Sequence, residues 1–443
     1  MTKKSSKIKF VLVSIIVAIG IALSVFSFAI PFTTSNFNGF ANSISLGMDI
    51  GGGYSAVYDV EIDEGKSLET EMSNSVSLLK DILAGQGYSD AKVFRQGDSQ
   101  IRLNISKHED SKTLISTLGD ASDIYIRGSQ TTEHTDNEIV GTDIKTVYAK
   151  KQQTSQTDFS WGVVIEFKQD AKIGKSGSEK YKELTQSVSE GSQTIYIYLD
   201  DTLFTPISGI TEAQSSGTLF LSGGTITSKE TASHFALKVL VGTLETKLTQ
   251  GPNSVATIPA TLGENFILFA LIAFGILVIL FVFVLVYKFK DLGLLSILSV
   301  LIYGILLVFF LQAVPLVLLT LGGIIAIALG FALLFICHYI MFNNISKEYA
   351  HGKKIPLSFK SGYKKSVLPI VDINVCSIIA SFVMWFLGDV FTMGFGVIMA
   401  ISCALVLFTT LIVTRGLTKM YLPLNSVNAK KLGFKRGENV NEI

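Results

Sequence analysis

The chain has 443 residues, of which 48% are hydrophobic and only 16% are charged, and its mean hydropathy is positive. This composition excludes an ordinary water-soluble protein of the same length and indicates a membrane protein. The apolar residues are concentrated in residues 8–30 and 264–424, whereas residues 31–263 have the composition of a water-soluble domain.

The net charge is +1, but the acidic and basic residues are distributed unevenly along the chain. Residues 31–263 contain 29 acidic and 19 basic residues, and the other 18 basic residues lie in residues 3–9, 288–290, 347–365 and 415–436. With six spans these basic segments share one side, which the positive-inside rule makes cytoplasmic. We therefore expect a multi-pass plasma-membrane protein with cytoplasmic termini and an acidic extracellular or periplasmic domain, a charge that argues against nucleic-acid binding.

Residues 1–32 are predicted to form a cytoplasmic N-terminus and the first transmembrane helix. The apolar run at residues 8–30 is long enough to cross a hydrocarbon layer of about 30 Å. A cleaved signal peptide is the alternative, but this run is too long and no clear cleavage site follows it. The sequence therefore predicts an uncleaved anchor.

Residues 33–127 are predicted to form a ferredoxin-like base lobe of the external domain. Apolar residues alternate from Ala56 to Ile62, as in a strand, and helical spacing follows from Leu68 to Leu83. Two further strands, a helix at residues 111–118 and a strand at Ile124 and Ile126 complete the order βαββαβ.

Residues 128–160 are rich in Thr, Gln, Ser and Asp, which predicts a linker or hinge. Residues 161–262 are predicted to form a second external α+β lobe, in which the capping-box pattern TSKE at residues 227–230 opens a helix. A five-helix transmembrane bundle is predicted for residues 263–424, with spans near 264–287, 292–312, 314–343, 366–388 and 391–415. Residues 425–443 are predicted to be a basic cytoplasmic tail.

The polar chemistry of the chain gives little support for an enzyme. The three cysteines all lie in apolar runs, so neither a disulfide framework nor a metal cluster is expected. The patterns GxSxG, HExxH, CxxC and GxxxxGK[ST] are absent from the sequence. We therefore expect no catalysis, no cofactor and no metal.

Three motifs resemble the SecD family, the protein-export subunits of the resistance-nodulation-division (RND) superfamily. SLGMDIGGGYS, residues 45–55, is similar to the family signature LGLDLxGG, and residues 217–248 resemble the segment before the second span. Residues 362–402 resemble the fifth and sixth spans, with the D-A-N element and a later Gly-Phe-Ala element. The matching positions are Leu46, Gly47, Asp49, Gly52, Gly53, Asp372, Asn374, Gly394, Phe395 and Gly396.

The fourth span departs from this family. Where the family has V-D-A-N, this chain has Phe335, Ile336, Cys337 and His338. The aspartate that the resemblance implies for proton movement is therefore missing.

Two ionisable residues remain inside the spans, His338 and Asp372, and such residues usually face the bundle or a water path. We hypothesise that they face each other as a reduced proton relay. In the alternative interpretation, Asp372 reaches interfacial water near the cytoplasmic end and His338 is a packing residue. Asn374 is expected to join helices. Asp49 is expected to accept hydrogen bonds from the glycine turn or, alternatively, to contact a partner subunit.

The resemblance implies an α-helical polytopic membrane protein with six spans, a single RND-type repeat, and a large external α+β domain of ferredoxin-like lobes. It also implies an accessory subunit of the general secretion translocase, which holds the emerging polypeptide and couples to the proton motive force. The implied partners are a SecF-like subunit, the SecYEG channel, the translocating unfolded polypeptide and membrane lipid. An RND-type permease for small molecules or lipids, or a degenerate scaffold without coupling, remain alternatives.

Overall fold

The computed structural model defines the fold of most of the chain. It describes residues 3–29, 36–61, 68–86, 88, 90–97, 99–108, 110–120, 122–131, 133–134, 138–153, 159–170, 174–192, 194–200, 202–223, 226–244, 247–248, 252–263, 265–314, 317–388, 390–425 and 429–435. Parts of the predicted linker (132, 135–137 and 154–158) and of the predicted tail (426–428 and 436–443) lie outside the described residues.

The described residues contain twelve α-helices and fourteen strands. The helices are α1 Lys3–Val25, α2 Met48–Gly51, α3 Leu68–Gly85, α4 Ser111–Leu118, α5 Gly177–Ser189, α6 Lys229–Val241, α7 Phe266–Phe289, α8 Asp291–Ala313, α9 Leu321–Ala350, α10 Ile355–Leu387, α11 Val390–Phe408 and α12 Arg415–Asn425. The strands are β1 Phe28–Ala29, β2 Asn36–Phe37, β3 Gly53–Glu61, β4 Lys92–Gln96, β5 Gln100–Ser106, β6 Ile124–Arg127, β7 Ile139–Val140, β8 Ile144–Gln153, β9 Phe159–Phe167, β10 Thr194–Leu199, β11 Thr202–Ser208, β12 Thr218–Ser222, β13 Lys247–Leu248 and β14 Ser254–Ile258. A 3₁₀ turn, Gly141–Asp143, precedes β8, and a π-helical segment, Thr409–Thr414, joins α11 to α12.

The chain divides into two compact units. The membrane unit contains Met1–Gly52 and Pro259–Ile443, and the extramembrane unit contains Gly53–Ile258. The chain passes between them at Gly52–Gly53 and at Ile258–Pro259. Gly53 and Ile258 are themselves paired in the register of β3 and β14.

Among the described residues, six helices are long and apolar enough to cross a membrane, which confirms the predicted number of spans. They are Ser5–Val25, Phe266–Phe289, Asp291–Ala313, Leu321–Ala350, Ile355–Leu387 and Thr392–Pro423. The fifth begins 11 residues before the predicted boundary at 366. Its 33 residues are about 50 Å long, so the first turns, with Lys360 and Lys364 exposed, extend beyond a hydrocarbon layer of about 30 Å.

Helix α9 lies at the centre of the membrane unit, where it packs against α10 and α11. Its side chains Leu334, Phe342 and Ile345 are almost completely buried in the core of the bundle. Glycines permit the close crossings, because a Cβ at Gly362 of α10 would lie only 2.5 Å from the Cα of Ile345.

The base lobe is an α+β structure, but its strand pairing differs from the predicted ferredoxin-like order. Strand β3 pairs with β5 on one side and with β13 and β14 on the other, and β4 pairs with β5. The predicted fourth strand, β6, instead pairs with β10 and β7 in the second lobe. This part of the prediction was wrong because local alternation identifies a strand without identifying its partner.

The predicted linker at residues 128–160 is corrected in its second half. Residues Ile144–Gln153 form the ten-residue strand β8, which pairs with β9 over its whole length. Its inward side chains Ile144 and Val147 are buried in the second-lobe core. Tyr148 and Lys150, on the opposite face from Val147, are exposed, as period-2 alternation permits.

Helix α6 is shared by the cores of the two lobes. Ala236 and Val239 are buried in the second-lobe core, whereas Leu237 and Val241 are buried in the base-lobe core. The Ser228 hydroxyl caps the helix by accepting a hydrogen bond from the Thr231 amide at 3.1 Å. The two lobes of the extramembrane unit therefore have one common structural element.

Candidate functional site

The glycine-rich motif contacts the start of the fourth span. We call residues 45–52 together with residues 319–323 the joint. Leu46 pairs in parallel with Leu319 in an isolated bridge. The Gly47 amide donates to the Leu319 carbonyl at 3.0 Å, and the Leu319 amide donates to the Ser45 carbonyl at 2.8 Å. The segment that precedes the extramembrane unit is thus bound to the segment that begins α9.

Asp49 caps helix α9. Its Oδ2 accepts a hydrogen bond from the Leu321 amide at 2.6 Å, while the Thr320 hydroxyl accepts one from the Gly323 amide at 3.3 Å. The first amides of a helix have no partner inside the helix, and a carboxylate there also interacts favourably with the helix dipole. The structure therefore corrects the expectation that this carboxylate binds the amides of its own glycine turn.

Two glycines of the joint are needed for different reasons, one for its backbone conformation and one for the space around it. Gly52 has a φ of +69°, a conformation that favours glycine. A Cβ at Gly51 would lie 3.0 Å from the Cβ of Leu46. Gly53 then begins β3 opposite Ser106. The glycines thus let the chain turn tightly from the α9 contact into the first strand of the extramembrane unit.

The Gly-Phe-Gly element of α11 packs on both neighbouring helices. A Cβ at Gly394 would lie 2.9 Å from the Thr320 hydroxyl, and one at Gly396 would lie 2.6 Å from the Ser381 carbonyl oxygen of α10. Phe395 is partly buried against the core of the bundle. Gly394 therefore gives α11 room beside the same turn of α9 that Asp49 caps.

His338 is completely buried and joins three parts of the bundle. Its Nδ1 lies 2.8 Å from the Leu334 carbonyl, and its Nε2 lies 3.0 Å from the Thr414 hydroxyl. Because a carbonyl can only accept, Nδ1 carries a proton. The single hydroxyl hydrogen of Thr414 can be donated either to Nε2 of His338 or to the Thr409 carbonyl, which lies 3.0 Å away. The Ser299 hydroxyl of α8 lies 3.0 Å from the Thr414 hydroxyl.

Sequence reasoning missed Ser299 and Thr414. Small hydroxyl residues are common in apolar spans and often only bond their own helix, so the sequence cannot tell which of them meet a buried histidine. The π-helical turn that ends at Thr414 is likewise set by packing.

Asp372 is exposed on the surface of the single chain and does not share the site of His338. Both ring nitrogens of His338 have other partners, so the hypothesis that these two residues face each other is wrong for this structure. Asp372 lies among Leu368, Val375 and Ile379, which are exposed at 68%, 41% and 59%. A carboxylate on such an apolar face of a span is costly in lipid, so the face is suited to a second protein surface or a water path.

Asn374 points away from that face. It is fully buried, and its Nδ2 donates to the Ile370 carbonyl at 2.8 Å and contacts the Cys337 sulfur at 3.4 Å. It therefore links α10 to α9 in the turn next to Asp372. Among the described residues, no group of three His, Cys, Asp or Glu side chains could hold a metal ion.

The chain is similar to curated protein-translocase subunits over most of its length. It is 26% identical over 419 residues to the protein translocase subunit SecD of Alicyclobacillus acidocaldarius, covering 89% of this chain and 91% of that protein. It is 23% identical over 406 residues to SecD of Sebaldella termitidis, covering 90% and 94%. It is 26% identical to the protein translocase subunit SecDF of Bacillus subtilis, covering 89% of this chain but 54% of that protein. No protein-family profile matches the chain.

Solved structures share the fold. A crystal structure of SecDF in a super-membrane-facing form matches 96% of this chain with a TM-score of 0.66 and 20% identity. A translocon-associated SecDF from Thermus matches with a TM-score of 0.50 and 19% identity. This chain spans 58% and 60% of those two chains. The relatives confirm the resemblance to the SecD family, and the structures confirm a polytopic helical membrane fold with an added α+β domain.

Proposed function

We propose that this SecD-family chain is an accessory subunit of the general secretion translocase that promotes the late steps of protein translocation across the plasma membrane. The observation that carries the proposal is the near full-length similarity to translocase subunits named SecD. No catalytic step is required of the chain in this role.

The proposed orientation places the extramembrane unit on the extracellular or periplasmic side and both termini in the cytoplasm. It is supported by the charge division, because the basic residues outside residues 31–263 fall in segments that six spans bring to one side. The acidic unit of the chain is then the part that meets an emerging polypeptide.

The extramembrane unit is proposed to hold an extended polypeptide by strand addition. Strands β4 and β11 are the last strands of their sheets in the described topology. Each exposes an apolar side chain, Phe94 at 42% and Leu203 at 40%. Backbone hydrogen bonds to such a strand tolerate many sequences, which suits a subunit that must accept different secreted proteins.

The joint is proposed to transmit movement between the membrane bundle and this unit. The Leu321 amide in the first turn of α9 donates to Asp49, and Leu319, just before α9, is bound to the backbone of residues 45–47. Strand β3 begins four residues after Asp49. A displacement of α9 would therefore pull directly on the chain that enters the base lobe.

Proton coupling is proposed to depend on Asp372 with a partner chain, without His338. The exposed apolar face around Asp372 fits a SecF-like subunit that completes a twelve-span assembly beside the SecYEG channel. The proposal is supported by the SecDF relatives, of which this chain matches only about half.

Photo-crosslinking tests the holding role. A photoreactive residue at Leu203 of β11 is compared with one at Lys182, which is exposed on α5, during translocation of a stalled secreted protein. We expect crosslinks to the stalled polypeptide from position 203 and few from position 182. Equal crosslinking at both positions, together with unchanged release from membranes that lack this chain, would contradict the proposed function.

A further inference from the structure

A cavity at the basic end of the membrane unit is not used by the role proposed above. Its volume is about 310 Å³, which corresponds to roughly ten water molecules. It lies between the last turns of α9, the first turns of α10 and helix α12. The ten residues that line it are Met341, Ile345, Pro356, Phe359, Lys360, Tyr363, Arg415, Thr418, Lys419 and Leu422.

Three cations and no carboxylate belong to this lining. Lys360, Arg415 and Lys419 form no ion pair with any part of the chain that the structure describes. Two other lysines at this end of the bundle, Lys353 and Lys365, are both paired with Glu348. Within the part of the chain that the structure describes, the three cations of the cavity therefore have no carboxylate partner, whereas Lys353 and Lys365 share the carboxylate of Glu348.

The side chain of Arg415 is held in place by an aromatic ring. Its guanidinium lies over the Tyr363 ring, 4.3 Å from the centroid, and the Tyr363 hydroxyl donates to the Leu411 carbonyl at 2.9 Å. The hydrogen bond fixes the ring between α10 and the π-helical segment, and the ring in turn orients the guanidinium. A planar donor fixed in this way is suited to bind a phosphate with two parallel hydrogen bonds.

Apart from Thr418 and Tyr363, the rest of the lining is apolar. Met341 and Ile345 of α9, Phe359 of α10 and Leu422 of α12 form these walls. A soluble anion would use the cations and leave these walls in contact with water. A ligand with a phosphate at one end and hydrocarbon next to it would satisfy both surfaces.

We propose that this cavity is a binding site for an anionic phospholipid, with the headgroup phosphate on Arg415, Lys360 and Lys419 and the start of an acyl chain against the apolar walls. The cavity lies where the spans end and basic residues begin, the depth at which lipid phosphates are found. The bound lipid would join α10 to α12. The proposal is independent of the translocation role.

The test uses the purified full chain in detergent, titrated with fluorescent phosphatidylglycerol and with fluorescent phosphatidylcholine. We expect phosphatidylglycerol to bind at least tenfold more tightly. In the double variant Lys360→Gln/Arg415→Gln, its affinity should fall roughly 25-fold, at about fivefold for each removed charge. The matched control Lys354→Gln/Lys364→Gln removes two exposed lysines of the same region that do not line the cavity, and it should retain the wild-type affinity.

Three further measurements test the apolar side of the site and exclude other occupants: the variant Leu422→Trp, competition by glycerol phosphate and competition by an acidic peptide. Leu422→Trp fills the apolar side without changing charge, and it should weaken phosphatidylglycerol binding while the thermal transition of the protein is retained. Equal loss in both double variants, full competition by glycerol phosphate, or unchanged binding in Leu422→Trp would overturn the proposal. Preference for an acidic peptide over the lipid would overturn it as well.

Discussion

At the scale of single residues, Asp49 shows how one side chain can connect a sequence motif to a distant helix. It lies 272 positions before the amide that it caps. The sequence identifies Asp49 as unusual because a carboxylate stands among four glycines, but it does not reveal the partner. A contact between Asp49 and the amides of its own glycine turn can be inferred from the local sequence. The contact with α9 cannot, because the packing of the whole bundle sets the position of the α9 terminus.

Replacement of Asp49 tests its capping role. In Asp49→Ala the first amide of α9 loses its acceptor, and we expect the free energy of unfolding to fall by about 1–2 kcal/mol. Hydrogen exchange should rise in residues 321–324, measured by mass spectrometry. Asp49→Asn keeps an acceptor oxygen and should retain most of the protection. Unchanged exchange in Asp49→Ala would show that the cap is not important.

His108 gives the extramembrane unit a pH dependence. Burial lowers the pKa of this imidazole below its ordinary 6.5, against a smaller opposite effect of Asp90 and Asp110. Its ring stacks on Tyr88 with centroids 4.7 Å apart, and its Nε2 lies 3.0 Å from the Ser106 hydroxyl. The fold therefore favours the neutral ring.

Because the pKa of His108 is lower in the folded state, the unfolded chain binds the proton first as the pH falls. The contribution of this residue to stability is thus fully present above pH 6.5 and is lost as the pH decreases towards the folded-state pKa. We expect His108→Gln to flatten the decline of the unfolding temperature between pH 7.5 and 5.5. An identical decline in wild type and variant would contradict the lowered pKa.

His338 and Asp372, the two residues of the hypothesised relay, show a second limit of prediction from the sequence. Their types and spans are evident from the printed chain, but the sides of the helices on which they lie depend on packing. His338 faces inward to Thr414, and Asp372 faces outward. The motif match to the family could not predict these orientations, because the fourth-span aspartate of the family motif is absent from this chain.

At the scale of elements, the sequence was most informative where a pattern was long. The six spans were identified from apolar length alone, because roughly 20 apolar residues have few other uses. Several strands were identified from alternation, although β8 was predicted to be part of a linker. The place beside β3 that was predicted for β6 is occupied by β14, and β6 pairs with β10. The choice between them is decided by long-range closure, which local patterns do not encode.

The shared helix α6 predicts that the two lobes lose stability together. Leu237→Ala removes a side chain that is 4% exposed in the base-lobe core, at a cost of about 2–5 kcal/mol. Because the neighbouring residues Ala236 and Val239 of α6 are buried in the second-lobe core, hydrogen exchange should increase in both β3 and β9. The control Val188→Ala, in α5, should increase exchange in the second lobe alone. An effect of Leu237→Ala confined to β3 would contradict the coupling.

Two glycines near the C-terminal spans form a matched pair. A Cβ at Gly396 would lie 2.7 Å from the Trp385 amide nitrogen, whereas one at Gly416 would have no described atom outside its own turn within 4 Å. We expect Gly396→Ala to separate α10 from α11 and to cost about 1–3 kcal/mol. Gly416→Ala should be neutral or stabilising by up to about 1 kcal/mol. Thermal unfolding in detergent measures both, and equal effects would refute the proposed close packing.

At the scale of the whole molecule, the chain shares its fold with part of a longer SecDF chain. It matches 58% of a SecDF chain, and it exposes a carboxylate on an apolar face of α10. The joint binds the segment that begins α9 to the segment that precedes the extramembrane unit. We propose, as the central claim, that Asp372 drives movement of the bundle when it binds and releases a proton beside a partner chain.

The most direct measurement of this claim is the release of a secreted protein from membrane vesicles with and without an imposed proton gradient. Wild type is compared with Asp372→Asn and with His338→Gln at equal expression. We predict that Asp372→Asn abolishes the gradient-dependent part of release, whereas His338→Gln, which keeps a neutral hydrogen-bonding side chain, retains it. Wild-type release in Asp372→Asn, under conditions where deletion of the chain impairs release, would contradict the claim and assign the coupling to the partner.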